Sequence, residues 1–304
     1  MSRLLSPPEF KTDAVITPDS VLPARDYTQH PGYDPHKHTE LLGVEEVLTR
    51  DFDPPYLTPD PSLSNKTNTT GPPLLDLHKW FQTIQVVNLL KFPKRWELFQ
   101  QRATVAGITG YERFHAIEGD RVGPPGWFRG GNGAWGCLMS HLRIAQDAMM
   151  TGDGHFLVFE DDAVFSSDFA ERLPRIMDEV GDDWDMLYLG GQHLHQPRVK
   201  PKRHPKHKEV IIAGNINRTH AFAINSRFRQ KYISHIMYAQ DYIESKHSMH
   251  IDHQLGQLHE HQGYNILCAQ PWINGQSAGK SWTSGKETRE MWWQIKEDNI
   301  LNNV

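Results

Sequence analysis

The segment "HFLVFEDDAVF", residues 155–165, ends an apolar run in three consecutive carboxylates, Glu160, Asp161 and Asp162. Carboxylates this close repel one another and rise in pKa unless a positive group compensates. A divalent metal is the simplest compensation. In an extended strand Glu160 and Asp162 share one face and Asp161 takes the other, whereas a turn changes which pair converges. Mg²⁺ and Mn²⁺ take one or two carboxylates and fill the rest of their shell with water and substrate phosphate oxygens, an arrangement that suits a nucleoside diphosphate. Two other uses stay open: the acids can cap the helix that follows, or pair with arginines.

The elements that must position these acids follow an alternating pattern. "FQTIQVVNLL" predicts a strand, and "PKRWELFQQRATVAG" after it predicts a helix with proline at its start and glycine at its end. A Gly/Pro-rich loop, "VGPPGWFRGGNGAWG", leads to "CLMSHLRIAQDAMM", where Leu138, Leu142, Ala145 and Met149 form an apolar helical stripe. The strand "HFLVFE", a helix in "SSDFAERLPRIMDEVG" and the strand "WDMLYLGG" come next. "EVIIAG" and "THAFAINS" read as further strands, and "RFRQKYISHIMYAQ" as a helix. This alternation predicts an α/β fold, a Rossmann-type mixed, mostly parallel sheet with flanking helices, and open sheets of that kind place ligands at the carboxyl ends of their strands.

Residues 1–78 differ in character: rich in Pro, Asp, Thr and His, without sustained periodicity, they predict an extended arm, with one amphipathic helical piece in "TELLGVEEVLTR". Residues 79–304 are then the single folded domain. The chain of 304 residues is 38% hydrophobic, has no stretch approaching the roughly 18 apolar residues of a membrane span, and its N-terminus lacks a secretory apolar core. A soluble, cytoplasmic protein is the expectation. Two cysteines, Cys137 and Cys268, are too few for a disulfide framework. Asn-x-Ser/Thr triplets at Asn65, Asn68 and Asn217 matter only in a secretory lumen. A net charge of -5 excludes a general polycation, but "RVKPKRHPKHK", residues 198–208, is a basic segment with six Lys/Arg and no acid. It reads either as a solvated connection or as a contact for an anionic acceptor or nucleotide phosphates.

The segments "VVNLLKFPKRWE", "GAWGCLMSHLRIAQ", "FLVFEDDAVF", "WDMLYLGG" and "THAFAINS" stand in an order and spacing that resembles glycosyltransferase family 25, across roughly residues 82–275. That family includes bacterial lipooligosaccharide sugar transferases and collagen hydroxylysine galactosyltransferases. The resemblance implies a GT-A-type fold, a nucleotide-sugar donor, usually a UDP-sugar, a Mn²⁺ or Mg²⁺ ion, and inversion at the anomeric carbon. It places the metal on Glu160, Asp161 and Asp162, and a Gly-x-x-Gly-Cys-x-x-Ser-His element on Gly133, Gly136, Cys137, Ser140 and His141. Glycines here let a backbone approach a nucleotide closely, and amides at the start of the following helix can hold phosphate oxygens. His141 is a candidate catalytic histidine or a hydrogen-bonded core residue. The family's Asn-Leu-Asp-Arg-Arg-like opening is altered to "NLLKFPKRWE", which keeps Asn88, Leu89 and Arg95, with Asn88 and Arg95 as donor contacts, but lacks the aspartate and the first arginine.

An inverting transfer needs a base for the acceptor's proton. By the same resemblance that base falls on Asp252, which could equally cap "HQLGQLHEH". His247, His250 and His253 have a spacing that would gather a metal if helical. "WINGQSAGKSWTSGK", with Trp272, Lys280, Trp282 and Lys286, suits either a loop closing over the donor or a disordered tail. Two rivals to the transferase remain: a metal-dependent nucleotidyltransferase, although no complete Gly-x-x-x-x-Gly-Lys-Ser/Thr phosphate loop is present, and a non-catalytic binding or structural protein that keeps the fold.

Overall fold

The computed structural model describes residues 74–126, 128–194, 199–237, 250–260, 263–277, 279–280 and 287–288. The expected arm through residue 73, the segment holding His247, and Trp282 and Lys286 lie outside them.

In chain order the elements are β1 (Leu75–Asp76), β2 (Thr83–Asn88), α1 (Pro93–Val105), β3 (Ile108–Thr109), β4 (Glu112–His115), α2 (Gly119–Val122), α3 (Gly131–Thr151), β5 (Phe156–Glu160), β6 (Ala163–Phe165), α4 (Phe169–Val180), β7 (Met186–His193), β8 (Lys202–Arg203), β9 (Val210–Ile212), β10 (Ile216–Ile224), α5 (Arg229–Met237), α6 (Ile251–Leu258), β11 (Ile266–Ala269), β12 (Asn274–Gln276), β13 (Gly279–Lys280) and β14 (Glu287–Thr288). The main sheet has eight strands in the order β4-β2-β5-β10-β7-β11-β9-β8. Its strands alternate between two cores. Phe156 and Val158 of β5 face Leu138 and Leu142 of α3, Tyr232 of α5 and Leu255 of α6. Leu157 and Phe159 face Phe99 of α1 and Leu173 and Ile176 of α4. A strand buried on both faces must be apolar throughout, which is why "FLVF" shows no alternation and why the charge begins only where β5 ends.

The sheet is mixed rather than mostly parallel. β2 pairs in parallel with β4 and β5, and β7 with β11, but β10 runs antiparallel to both β5 and β7, and β9 antiparallel to β11 and β8. Parallel neighbours need a long crossover, usually helical. Among the described residues between β7 and β10 there is no helix, only the short strands β8 and β9, so β10 returns beside β7 in the opposite direction.

The basic segment contains β8, an exposed edge strand paired with β9. Lysine and arginine on an edge discourage pairing with other chains. β8 lies five strand spacings from β5, about 24 Å along the sheet at roughly 4.8 Å per strand, so it is remote from anything bound at the acids. Among the described residues no helix is long and apolar enough to cross a membrane.

Candidate functional site

The three carboxylates sit at the carboxyl end of β5, where the strand breaks into a turn before β6. The turn gives each acid a different environment. Glu160 accepts a 2.6 Å hydrogen bond from Thr219 Oγ1, and its Oε1 lies 3.6 Å from Nε2 of the fully buried His141. Burial works against its charge, but His141, Thr219 and His220 together hold its pKa down, to about 2. Asp161 is 6% exposed, paired with Arg95 and with the Asn88 amide. Burial and the charges of Asp162 and Glu160 nevertheless push it up to about 6, against the pull of Arg95 and Asn88. Asp162 Oδ2 takes hydrogen bonds from Arg95 at 3.0 Å and Gln276 Nε2 at 3.2 Å, while its buried Oδ1 has no partner. Burial, reinforced by Glu160, raises its pKa as well.

Asn88 and Arg95 therefore stand behind the acidic turn. Asn88 is 1% exposed; its amide donates to Asp161 and to the Phe92 carbonyl at 3.2 Å, and its oxygen accepts from Arg113 Nε at 2.9 Å. Every polar atom of the side chain is spent on protein. Arg95 projects from the first turn of α1, which proline at its first position starts. It supplies the positive charge that three crowded acids require.

The glycine segment differs from expectation. The helix begins at Gly131, so Gly133 and Gly136 lie within α3 and not in a loop before it. A Cβ on Gly136 would stand 2.3 Å from the Ile117 carbonyl oxygen, and one on Gly119 would meet the Asn132 carbonyl. These glycines let the backbone around α2 lie directly on α3. Ser140, fully buried, fastens the same contact: its hydroxyl accepts from Ile117 N at 2.8 Å and donates to Gly136 O at 2.7 Å. Gly133, in the first turn and half-buried, is the one member of this set near the helix's unpaired amides. His141 stacks on Phe222, with 5.6 Å between rings, and neither of its nitrogens has a hydrogen-bond partner.

Asp252 lies in the first turn of α6, whose cap is His250, so it is not the cap residue expected. Its Oδ2 accepts from Arg218 N at 3.2 Å. Arg218 sits at a positive φ of 78°, where the pairing of β10 with β7 shifts register between Asn217 and Ala221. One irregular stretch of β10 thus carries both Arg218, which fixes Asp252, and Thr219, which fixes Glu160. Burial pushes the Cys137 thiol well up, and the charges of Glu160, Asp252 and Asp162 act in the same direction. His250 and His253 rings are 6.3 Å apart, and they belong to no metal-ligand group among the described residues. Lys280 falls in β13, paired with β14, and its side chain is outside the described set. The start of that expected lid is ordered against the site: β12 pairs with β6, Ser277 N donates to the Asp162 carbonyl at 2.8 Å, and Trp272 stacks on His193. Thr219, Arg218, Arg113 and Gln276 were not legible as site residues. They act through partners far away in sequence, with no pattern of their own.

Residues 131–251 match the family model described as "Glycosyltransferase family 25 (LPS biosynthesis protein)". The central segment is thus similar to glycosyltransferase family 25. The family 25 match takes in Cys137, His141, the acidic turn and Thr219, and it leaves out Asn88, Arg95 and Asp252. Among curated relatives, "Inactive glycosyltransferase 25 family member 3" of Homo sapiens is 32% identical over 108 residues, 34% of this chain and 17% of that protein. "Putative glycosyltransferase R655" of Acanthamoeba polyphaga mimivirus is 31% identical over 118 residues, covering 35% of this chain and 36% of that one. "Procollagen galactosyltransferase 2" of Mus musculus is 26% identical over 104 residues, 33% and 16% of the two chains. The matches span only a minor part of these relatives' lengths. A solved glycosyltransferase involved in glycosylation of the major capsid of PBCV-1 superposes with a TM-score of 0.28 and 11% identity, over 54% of this chain and 67% of that one.

Proposed function

We propose that this chain is a metal-dependent, inverting glycosyltransferase of GT-A type that moves a hexose from a nucleotide-sugar, with UDP as the nucleotide, to a hydroxyl on a glycan, a protein or a modified nucleic acid. One observation carries the reading: Asp162 Oδ1 is buried, has no partner and adjoins the ionised Glu160 at a strand's carboxyl end. A buried, unpaired carboxylate oxygen is costly unless something positive meets it. Mn²⁺ or Mg²⁺ fits that donor set, since both are hard ions that accept one or two carboxylates. Asp162, with Glu160 beside it, would hold the ion, and Asp161, committed to Arg95 and Asn88, would shape the turn. When bound, the ion supplies charge neutralisation for the departing diphosphate. Arg95 adds a fixed positive charge at the same place. Asp252 takes the acceptor's proton, and the Arg218 amide orients it for that task.

The test is UDP release from a panel of UDP-sugars with Mn²⁺, with and without chelator, by the wild type and Asp162→Ala. Release that needs the metal and disappears in the variant, with the circular dichroism spectrum unchanged, supports the reading. Equal turnover by Asp162→Ala overturns the metal assignment. A second reading has support in the name of the human relative: a family 25 segment that binds without catalysis. Donor binding by calorimetry, with no release from any donor and acceptor pair, would establish it.

A further inference from the structure

Cys137, His141 and Glu160 make a second constellation that shares only Glu160 with the proposed donor site. Cys137 and His141 are four residues apart on α3 and so share one face of the helix, and Glu160 comes to them from the end of β5. One ligand atom from each lies within 4.8 Å of the other two. In a tetrahedral zinc site with bonds of about 2.0–2.3 Å, ligand atoms stand roughly 3.3–3.8 Å apart, so closure asks for about 1 Å of side-chain adjustment. His141 gives a second sign of a missing partner: it is fully buried, its Nδ1 has no hydrogen bond, and its Nε2 stands 3.6 Å from Glu160 Oε1, too far for one. A neutral buried imidazole ordinarily secures at least one. Glu160 and Asp252 also make the surroundings of Cys137 negative.

We propose that Cys137, His141 and Glu160 form a binding site for a soft or borderline divalent cation of the zinc class, distinct from the hard-ion position at Asp162. Sulfur, imidazole nitrogen and one carboxylate oxygen are the donor types zinc prefers, whereas Mg²⁺ and Mn²⁺ avoid thiolate. A thiolate and a carboxylate balance the two positive charges, leaving a neutral centre suited to burial. Three protein ligands leave a fourth position for water or an acceptor oxygen. Glu160 stands between the two positions, its Oε1 toward His141 and Thr219.

Co²⁺ reports on this directly, because a thiolate ligand gives an intense near-ultraviolet charge-transfer band and a tetrahedral site gives strong visible bands. Chelator-treated full-length protein titrated with Co²⁺ should develop both, saturating at one equivalent, and Zn²⁺ should bleach them. Cys137→Ser should lose the charge-transfer band while keeping its circular dichroism spectrum. Glu160→Gln should weaken Co²⁺ by at least the roughly tenfold that even an outer partner costs. Asp162→Ala should leave the bands intact, which separates this site from the donor site whatever the fate of the transferase reading. Absence of the charge-transfer band in folded wild type, or its persistence in Cys137→Ser, overturns the proposal.

Discussion

Replacing Arg95 with methionine isolates what holds three carboxylates together. Arg95 pairs with Asp161 and, at 3.0 Å, with Asp162. In the fold the Asp161 carboxyl stands at about 6 against an ordinary 3.8. A folded pKa above the unfolded one means that the fold retains a proton the unfolded chain releases, so stability falls as pH rises from about 4 to about 6 and then levels off. Without Arg95 the carboxyl keeps its proton to higher pH, and the fall continues past 6 at about 1.4 kcal/mol per pH unit. The additional destabilisation from Asp161 is near zero at pH 5, sets in as pH passes 6, and grows by at most about 1.4 kcal/mol per pH unit until the variant's carboxyl ionises. Asp162, also raised, adds in the same sense. Loss of the hydrogen bonds contributes about 1 kcal/mol at every pH. Urea unfolding of chelator-treated protein at pH 5, 7 and 8, followed by the fluorescence of its nine tryptophans, measures the difference. A wild-type-minus-variant gap that stays flat across those pH values would refute the claim that Arg95 is the counter-charge of this turn.

Two further substitutions probe the packing and the base. Gly136→Ala gains about 1 kcal/mol of helix propensity, but its methyl would stand 2.3 Å from the Ile117 carbonyl, and overpacking of rigid backbone outweighs that gain. A net loss of about 2 kcal/mol, or a Tm lower by roughly 4–8 °C in a scan, is expected, and an unchanged or raised Tm would show that α2 does not rest on α3. Asp252→Asn keeps the acceptor for the Arg218 amide and removes the base, so kcat should drop by about 10²–10⁴ with donor KM held, in steady-state assays of the identified sugar. An unchanged kcat would remove Asp252 from the chemistry.

What the sequence revealed and what it hid divide by the range of the interaction. The run "FLVF" showed a strand buried on both faces, Pro93 marked the start of α1, and the EDD triplet marked a charged strand end; each is a signal carried by neighbouring residues. The antiparallel β10 was hidden because strand spelling does not encode direction, only the length and helicity of the connection does. Partners were hidden for the same reason. Asn88 meets Asp161 across 73 residues, and Thr219 meets Glu160 across 59. The glycines misled in a different way: close backbone approach was the right inference from Gly136, but the backbone that approaches is that of residues 117–119.

Three adjacent acids invite treatment as three equivalent ligands, and their surroundings argue otherwise. Glu160 is held ionised by hydroxyl and imidazole neighbours, Asp161 is matched to a guanidinium and a buried amide, and Asp162 keeps a buried oxygen with no hydrogen-bond partner. The turn after β5 causes this division, because it breaks the alternation that would have put Glu160 and Asp162 on one face and Asp161 on the other. Fixing Asp161 from behind orients Asp162 without spending its second oxygen. The irregular stretch of β10 does the same for the opposite wall, since the Arg218 backbone amide reaches Asp252 and the Thr219 hydroxyl reaches Glu160 from consecutive positions near a register shift. A regular β10 would send consecutive side chains to opposite faces and leave the Arg218 amide in the ladder. The register shift is therefore what couples the proposed base to the acidic strand end, and its position should constrain the site as strongly as the carboxylates themselves.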